Sequence, residues 1–358
     1  MSTLDRLKLY YASHPRYLAA AFFAAGFVFD MLTLGRIDSW LVIGQQVLYL
    51  GVILALLLQM FFGKEGRLAK YRVPAVHFLL GALLNLYTLF FFKSSSLLVS
   101  FAFLAFLVVL LLANESGRFK ALGLHFKFAL LSLCMLSFFA AVVPIAVRSI
   151  GLWVFLLSML VGCLPLAAAA AWVRRARPEL YPRARREILV PLGSVLVGFL
   201  AFYLFRLIPP VPLSIPFIGI YHGVERTAEG YLLTHERPGW RLWHNGDQWF
   251  AAQPGDKVYV YFRVFSPSNF SDQVLLRWYR RSPSGGGERW ALQDTIPIRI
   301  TGGREAGFRG YGVKTNYQPG EWKVQVETTD GREIGRVYFE LETVPGAQPR
   351  SFTSELDA

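Results

Sequence analysis

The chain is 358 residues long, 54% hydrophobic and 17% charged, with a formal net charge of +13, too apolar a balance for an ordinary soluble protein. All of the excess positive charge lies in residues 1–216, where 20 lysines and arginines stand against 7 acidic residues; residues 217–358 carry 17 of each. The basic residues fall in short loops between long apolar runs, where membrane insertion places them, so nucleic acid is not an expected partner despite a pI near 9.8.

Seven runs are long enough for the roughly 20 apolar residues that a spanning helix needs: about 17–35, 39–62, 73–92, 95–113, 126–148, 151–173 and 188–209. The first run is followed by several more and reads as a retained signal-anchor rather than a cleaved peptide. Short loops make neighbouring helices antiparallel hairpins. The N-terminus and the second, fourth and sixth loops hold 15 lysines and arginines, whereas the first, third and fifth hold only Arg36, Lys93 and Arg148. That bias places the N-terminus in the cytoplasm, and seven crossings place the C-terminal half outside. Pro209 and Pro210 end the last helix, because proline lacks the donor and fixes φ, and residues 210–216 continue as a stiff linker. The predicted organisation is a membrane bundle over 1–209, the linker, a β domain over 217–345 and a flexible tail over 346–358.

Beyond residue 216 the hydrophobic period changes from helical to two. The stretches 257–265, 273–281, 295–301, 308–315, 321–329 and 333–342 alternate or carry the β-branched and aromatic residues of strands. Gly- and Pro-rich turns separate them, and Asp330-Gly331 is a hairpin turn. Short strands at this spacing predict an all-β sandwich of the immunoglobulin-like class, with "GERWALQ" lengthening one loop. The two cysteines, Cys134 and Cys163, both lie in apolar runs, so the β domain must hold together without disulfides or thiolate metal sites.

Within that half, "RWYRR", "TIPIRITGGREAGFRGYGVKT", "GEWKVQV" and the DG hairpin closing on "VYFEL" resemble the conserved block of the family called domain of unknown function 2914, over roughly 273–343. The "FDMLTLGRID" stretch resembles the membrane part of its longer members. The resemblance implies a fold and a location at the bacterial cell envelope; it implies no reaction.

Two groups of residues stand out as sites. Asp30 lies about five residues before the end of the first span, roughly 7 Å below the outer membrane surface. An ionisable group at that depth faces a partner or a water-filled cavity. Arg36, Asp38, Asn85, Lys93 and Arg206 come to a similar level. This cluster either fixes the packing of the bundle, with Asp38 capping the second helix, or binds a lipid headgroup or anionic substrate, or docks the β domain. The second group is aromatic and basic: Trp240, Arg241, Trp243 and Trp249, with Arg304 and Arg309 at a glycine-rich turn. Indole faces stack on sugar rings or sit among headgroups; the bland alternatives are a sandwich core for the tryptophans and a solvated rim for the arginines. Trp278 and Trp322, inside clear strands, are expected in the core.

Several chemistries have no motif. H-E-x-x-H, paired His/Cys at metal spacing, G-x-S-x-G and G-x-x-x-x-G-K are all missing from the sequence. No cofactor, metal or catalytic residue is therefore expected. The expected role is a membrane-anchored recognition module for an envelope glycan, a lipid headgroup or a protein. The rival is a carrier or lipid-handling protein with an outward-facing polar cavity around Asp30.

Overall fold

The computed structural model describes residues 38–357 apart from 64–68, 95–96, 116–121, 237–244, 268–269, 285–286, 304–306 and 347–348. Its first half is helical: α1 Trp40–Phe61, α2 Ala69–Lys93, α3 Leu97–Glu115, α4 Leu124–Val147 and α5 Leu152–Ala176. A composite helix follows, made of a 3₁₀ turn Pro178–Leu180, α6 Tyr181–Ala184, a π turn Arg185–Leu189 and α7 Val190–Leu204. Helix bounds fall close to the predicted runs because each run is apolar from end to end and closes on a charged or proline-rich loop.

Among the described residues, five helices are long and apolar enough to cross a membrane, not seven. The run at 95–113 contributes a shorter apolar helix, Ser100–Asn114. The run at 17–35 lies outside the described residues. In the bundle α2 and α4 are the most enclosed helices, and their buried faces carry Leu80, Leu84, Tyr87, Leu131 and Met135. One polar contact joins the second helix to the third: His77 Nδ1 lies 2.8 Å from Asn114 Oδ1, and Asn114 Nδ2 donates to the His77 carbonyl.

The β half has three layers. The central sheet orders its strands β4 (Asn245–Gly246), β1 (Ser214–Tyr221), β6 (Val258–Phe265) and β9 (Phe308–Lys314). The large sheet orders β5 (Trp249–Ala252), β11 (Glu333–Thr343), β10 (Gly320–Thr328), β7 (Ser271–Ser284) and β8 (Gly287–Thr301). A third sheet holds β12 (Thr353–Asp357), β3 (Tyr231–His235) and β2 (Gly223–Arg226). The main core lies between the first two sheets, where Val260 and Phe262 meet Trp278, Trp322 and Val324. Trp278 and Trp322 are fully buried, as their strand positions predict, with ring centroids 6.5 Å apart and nearly perpendicular. Tyr221, Tyr261, Val224 and Leu233 form a second small core between the central and third sheets.

Three expectations change. The "GERWALQ" segment is not loop: Gly287–Thr301 is one strand, paired from Gly287↔Ser284 to Thr301↔Ser271 with a register shift at Trp278/Tyr279. A bulge there lets a long hairpin bend without losing its ladder. The linker is shorter than expected, since Ser214 already pairs with Phe265. Residues 353–357, expected within a flexible tail, form β12 and pair antiparallel with β3; their polar side chains hid a strand whose hold is the backbone ladder.

Candidate functional site

The β10–β11 hairpin fixes how the two halves meet. Its tip, Asp330-Gly331, points into one end of the bundle, where Tyr203 Oη donates to Asp330 Oδ2 at 3.0 Å. Tyr203 stacks on Phe155 from α5 with centroids 3.9 Å apart, and the Arg332 guanidinium lies 4.9 Å above the same ring. Burial raises the Asp330 carboxyl, but the Arg332 charge and hydrogen bonds from Thr328 and Tyr203 outweigh it, and the net shift is downward. A second tie joins the Ile150 amide to Asp272 Oδ2 at 3.2 Å. The crevice left at this junction encloses about 20 Å³, room for one water, so it is a joint and not a ligand pocket.

Arg206 belongs to that joint. It takes a left-handed backbone (φ 58°) just past α7, and its guanidinium sits so close to Gly331 that a Cβ there would meet Nη1 at 3.1 Å. Of the predicted outer cluster, Asp30 and Arg36 lie outside the described residues. Asp38 and Asn85 are half-buried near the start of α1 and within α2, and Lys93 is exposed at the end of α2. The Arg206 guanidinium thus lies against the hairpin tip of the β domain.

A wider cavity opens at the opposite end of the large sheet. Strand register places side chains on its outer face in rows: Trp249–Glu340–Glu321–Arg281–Trp290 across five strands, and Tyr338–Lys323–Tyr279 beneath. Trp249, Trp290, Tyr338, Glu321, Glu340 and Gln248 line a trough of about 370 Å³, within the range of small-molecule sites. The two tryptophans stand four strand spacings apart, roughly 19 Å. Trp249 Nε1 donates to Glu340 Oε2 at 3.1 Å, Arg281 Nη1 donates to Glu321 Oε2 at 2.7 Å, and the Trp290 and Tyr338 rings lie 5.7 Å apart. These contacts fix the aromatic planes before any ligand arrives.

Burial shifts two of the charged groups on this face. Lys323 lies under the Tyr279 and Trp290 rings at 4.5 and 5.1 Å, and burial, aided by Arg336, lowers its pKa. Burial also raises the Glu327 carboxyl, despite Arg277 at 3.2 Å. A surface of fixed aromatic planes edged by carboxylates and an amide suits a ligand offering both apolar faces and hydroxyls.

The sequence located Trp249 here, exposed at 44%, but missed Trp290, Tyr338, Glu321 and Glu340. Their signal was the alternation of Trp322, Val324 and Val326 with Lys323, Gln325 and Glu327: one face is core, so the polar face continues across neighbouring strands. Trp240, Arg241, Trp243 and Arg304 lie outside the described residues. Arg309 faces neither trough nor solvent. Its Nε lies 3.6 Å from Asp357 Oδ2, beside Tyr261 and Arg263.

Fold and site together define an apolar helical bundle that carries a layered β domain with an aromatic trough at its far end. Residues 271–341 match the family described as "Protein of unknown function (DUF2914)", the resemblance legible in the sequence; the match covers β7 through most of β11. No curated protein matches the chain. Among solved structures, an immunoglobulin-like protein from Pseudomonas aeruginosa is 13% identical, with TM-score 0.23, and the alignment covers 37% of this chain and 98% of that one. A β-glucosidase from Listeria innocua in complex with glucose is 12% identical with TM-score 0.19; 31% of this chain overlays 15% of that one. A Bifidobacterium adolescentis GH3 β-glucosidase is 9% identical with TM-score 0.19, over 36% of this chain and 17% of that one. The chain therefore spans only a small part of either glucosidase, and likenesses this slight carry no argument about function.

Proposed function

We propose that the protein is a membrane-anchored recognition module of the bacterial cell envelope, and that its β domain binds a carbohydrate in the aromatic trough. In this reading the bundle crosses the inner membrane with its N-terminus in the cytoplasm, and an immunoglobulin-like β domain stands in the periplasm. The supporting observation is the trough itself: Trp249 and Trp290 flank carboxylates Glu321 and Glu340 at the end of the sheet remote from the bundle. Glu321 is seven residues along β10 from Thr328, beside the joint, which puts the trough roughly 24 Å from it. A ligand bound there lies clear of the bundle end, as an envelope polymer would.

The test uses full-length protein in lipid nanodiscs against an array of bacterial envelope glycans, followed by calorimetry on any hit. Trp249→Ala and Trp290→Ala should each weaken binding roughly 2- to 13-fold, because stacking on one ring is worth about 0.5–1.5 kcal/mol, with the melting temperature little changed for Trp249→Ala. Binding that survives both substitutions, or a ligand lost only with Asp30→Asn, would move the site off the trough.

A further inference from the structure

The third sheet carries a clamp that neither the trough nor the joint uses. Strand β12 reads Thr353-Ser354-Glu355-Leu356-Asp357, so Glu355 and Asp357 share one face. That face meets the central sheet: Tyr221 Oη donates to Glu355 Oε1 at 3.0 Å, and Tyr261 Oη donates to Asp357 Oδ2. Arg263 Nη1 reaches Asp357 Oδ1 at 3.3 Å and Arg309 Nε reaches Oδ2 at 3.6 Å. Two arginines and a phenol therefore converge on one carboxylate. Tyr221 and Tyr261 are fully buried, which makes them a built part of the domain and not loose rim groups.

The strand that fills this clamp is weakly held. Residues 351–356 are all exposed and only Asp357 is half-buried, so β12 contributes almost no apolar burial. Its hold is a five-residue ladder to β3 on one edge, a 3.2 Å contact between the Ser354 and Thr234 hydroxyls on that edge, and the contacts of Glu355 and Asp357. Few buried apolar contacts and a solvent-facing ladder mark the low-stability end of a fold, where local opening is frequent. When β12 leaves, β3 becomes a free edge with unpaired backbone groups, a template for another strand, beside the Arg263, Arg309 and Tyr261 side chains that held Asp357.

We propose that this edge is a β-augmentation site for an extended acidic segment of a partner polypeptide, which carries carboxylates at alternate positions and replaces β12. Backbone pairing to β3 supplies affinity, as in other strand-addition sites. Arg263, Arg309 and Tyr261 supply selection for a carboxylate at the Asp357 position, and Tyr221 for one at the Glu355 position. The cis strand is then a resident competitor, tethered through Arg350, whose Nη1 and Nη2 grip Asp256 at 2.6 and 3.2 Å. The site lies on a different sheet from the trough, so each can fail without the other.

The probe is a fluorescent peptide of sequence SFTSELDA, added to full-length protein in nanodiscs that carries a protease site inserted between Gly346 and Pro349. After cleavage the labelled peptide should exchange in, read by anisotropy. The same peptide with Gln and Asn at the two acidic positions should bind at least tenfold more weakly, as should the acidic peptide on Arg309→Gln. Hydrogen exchange on the uncut wild-type chain provides an independent reading: amides of 231–235 and 353–357 should exchange at least a hundredfold faster than those of β10. No exchange of peptide with the cut protein still folded, equal binding of the neutral peptide, or β12 amides as protected as those of β10 would each overturn the proposal and leave β12 a fixed structural strand.

Discussion

Replacing Tyr203 by Phe isolates the hydrogen bond that ties the bundle to the β domain. The substitution keeps the ring, and with it the stack on Phe155 at 3.9 Å and the Arg332 contact at 4.9 Å, so no apolar burial is lost. What disappears is a donor to a carboxylate. A hydrogen bond to a charged group is worth about 1.5–3 kcal/mol net, and the Asp330 side chain is 26% exposed, which argues for the lower part, about 1–2 kcal/mol. That corresponds to roughly a 5- to 30-fold rise in opening of the hairpin tip. Native-state hydrogen exchange in nanodiscs reads it: protection at 328–332 should fall by that factor while the Val324 amide, in the middle of β10, keeps its protection. Asp330→Asn should cost more, because it also weakens the Arg332 Nε contact at 3.0 Å. In that background Tyr203→Phe should add less than about threefold, the non-additivity expected of direct partners. Unchanged protection at the tip, or fully additive effects, would refute the latch.

Other consequences are equally open to measurement. Gly331 has φ 79°, so Gly331→Ala should cost about 1–2 kcal/mol for the left-handed backbone alone, seen as a lower melting temperature of the β domain; the Arg206 tip at 3.1 Å can move aside. The folded Asp330 and Asp256 carboxyls lie below their ordinary range, so their stabilisation is complete above the unfolded carboxylate value near 3.9 and is lost as pH falls through the lower folded value. Tip protection, corrected for intrinsic exchange, should therefore be level from about pH 8 to 5 and decline below about 4, and Asp330→Asn should flatten that decline. Trp278→Ala, in the middle of the main core with no exposure, should cost about 3–5 kcal/mol and abolish cooperative melting of the β domain without removing the protein from the membrane.

What the sequence made legible follows a physical rule: elements whose hydrophobic pattern is set by one dominant burial were readable, and elements held by their neighbours were not. The membrane runs are apolar throughout, so α1, α2, α4 and α5 fell where composition put them. The strands from 258 to 343 alternate because one face meets the Trp278–Trp322 core, and their bounds were predicted within a few residues except at β8, which begins at Gly287 inside the segment expected to be loop. By contrast β2, β3 and β12 pack on a layer made largely of tyrosines, whose period is blurred because a tyrosine serves core and hydrogen bond alike, and β12 has almost nothing to bury. The candidate sites divide the same way. Trp249 could be singled out because an aromatic beside a turn stands out locally, but Trp290 became part of the trough only through the pairing Arg281↔Trp290 on a hairpin of 14- and 15-residue strands. Arg309 was weighed as a solvated rim residue or an anion holder; in the structure it lies 3.6 Å from Asp357, 48 positions further on in a segment that sequence alone assigns to a tail. Long-range pairing of polar side chains leaves no period behind, and that is why the clamp on β12, unlike the core beneath it, had to be found in three dimensions.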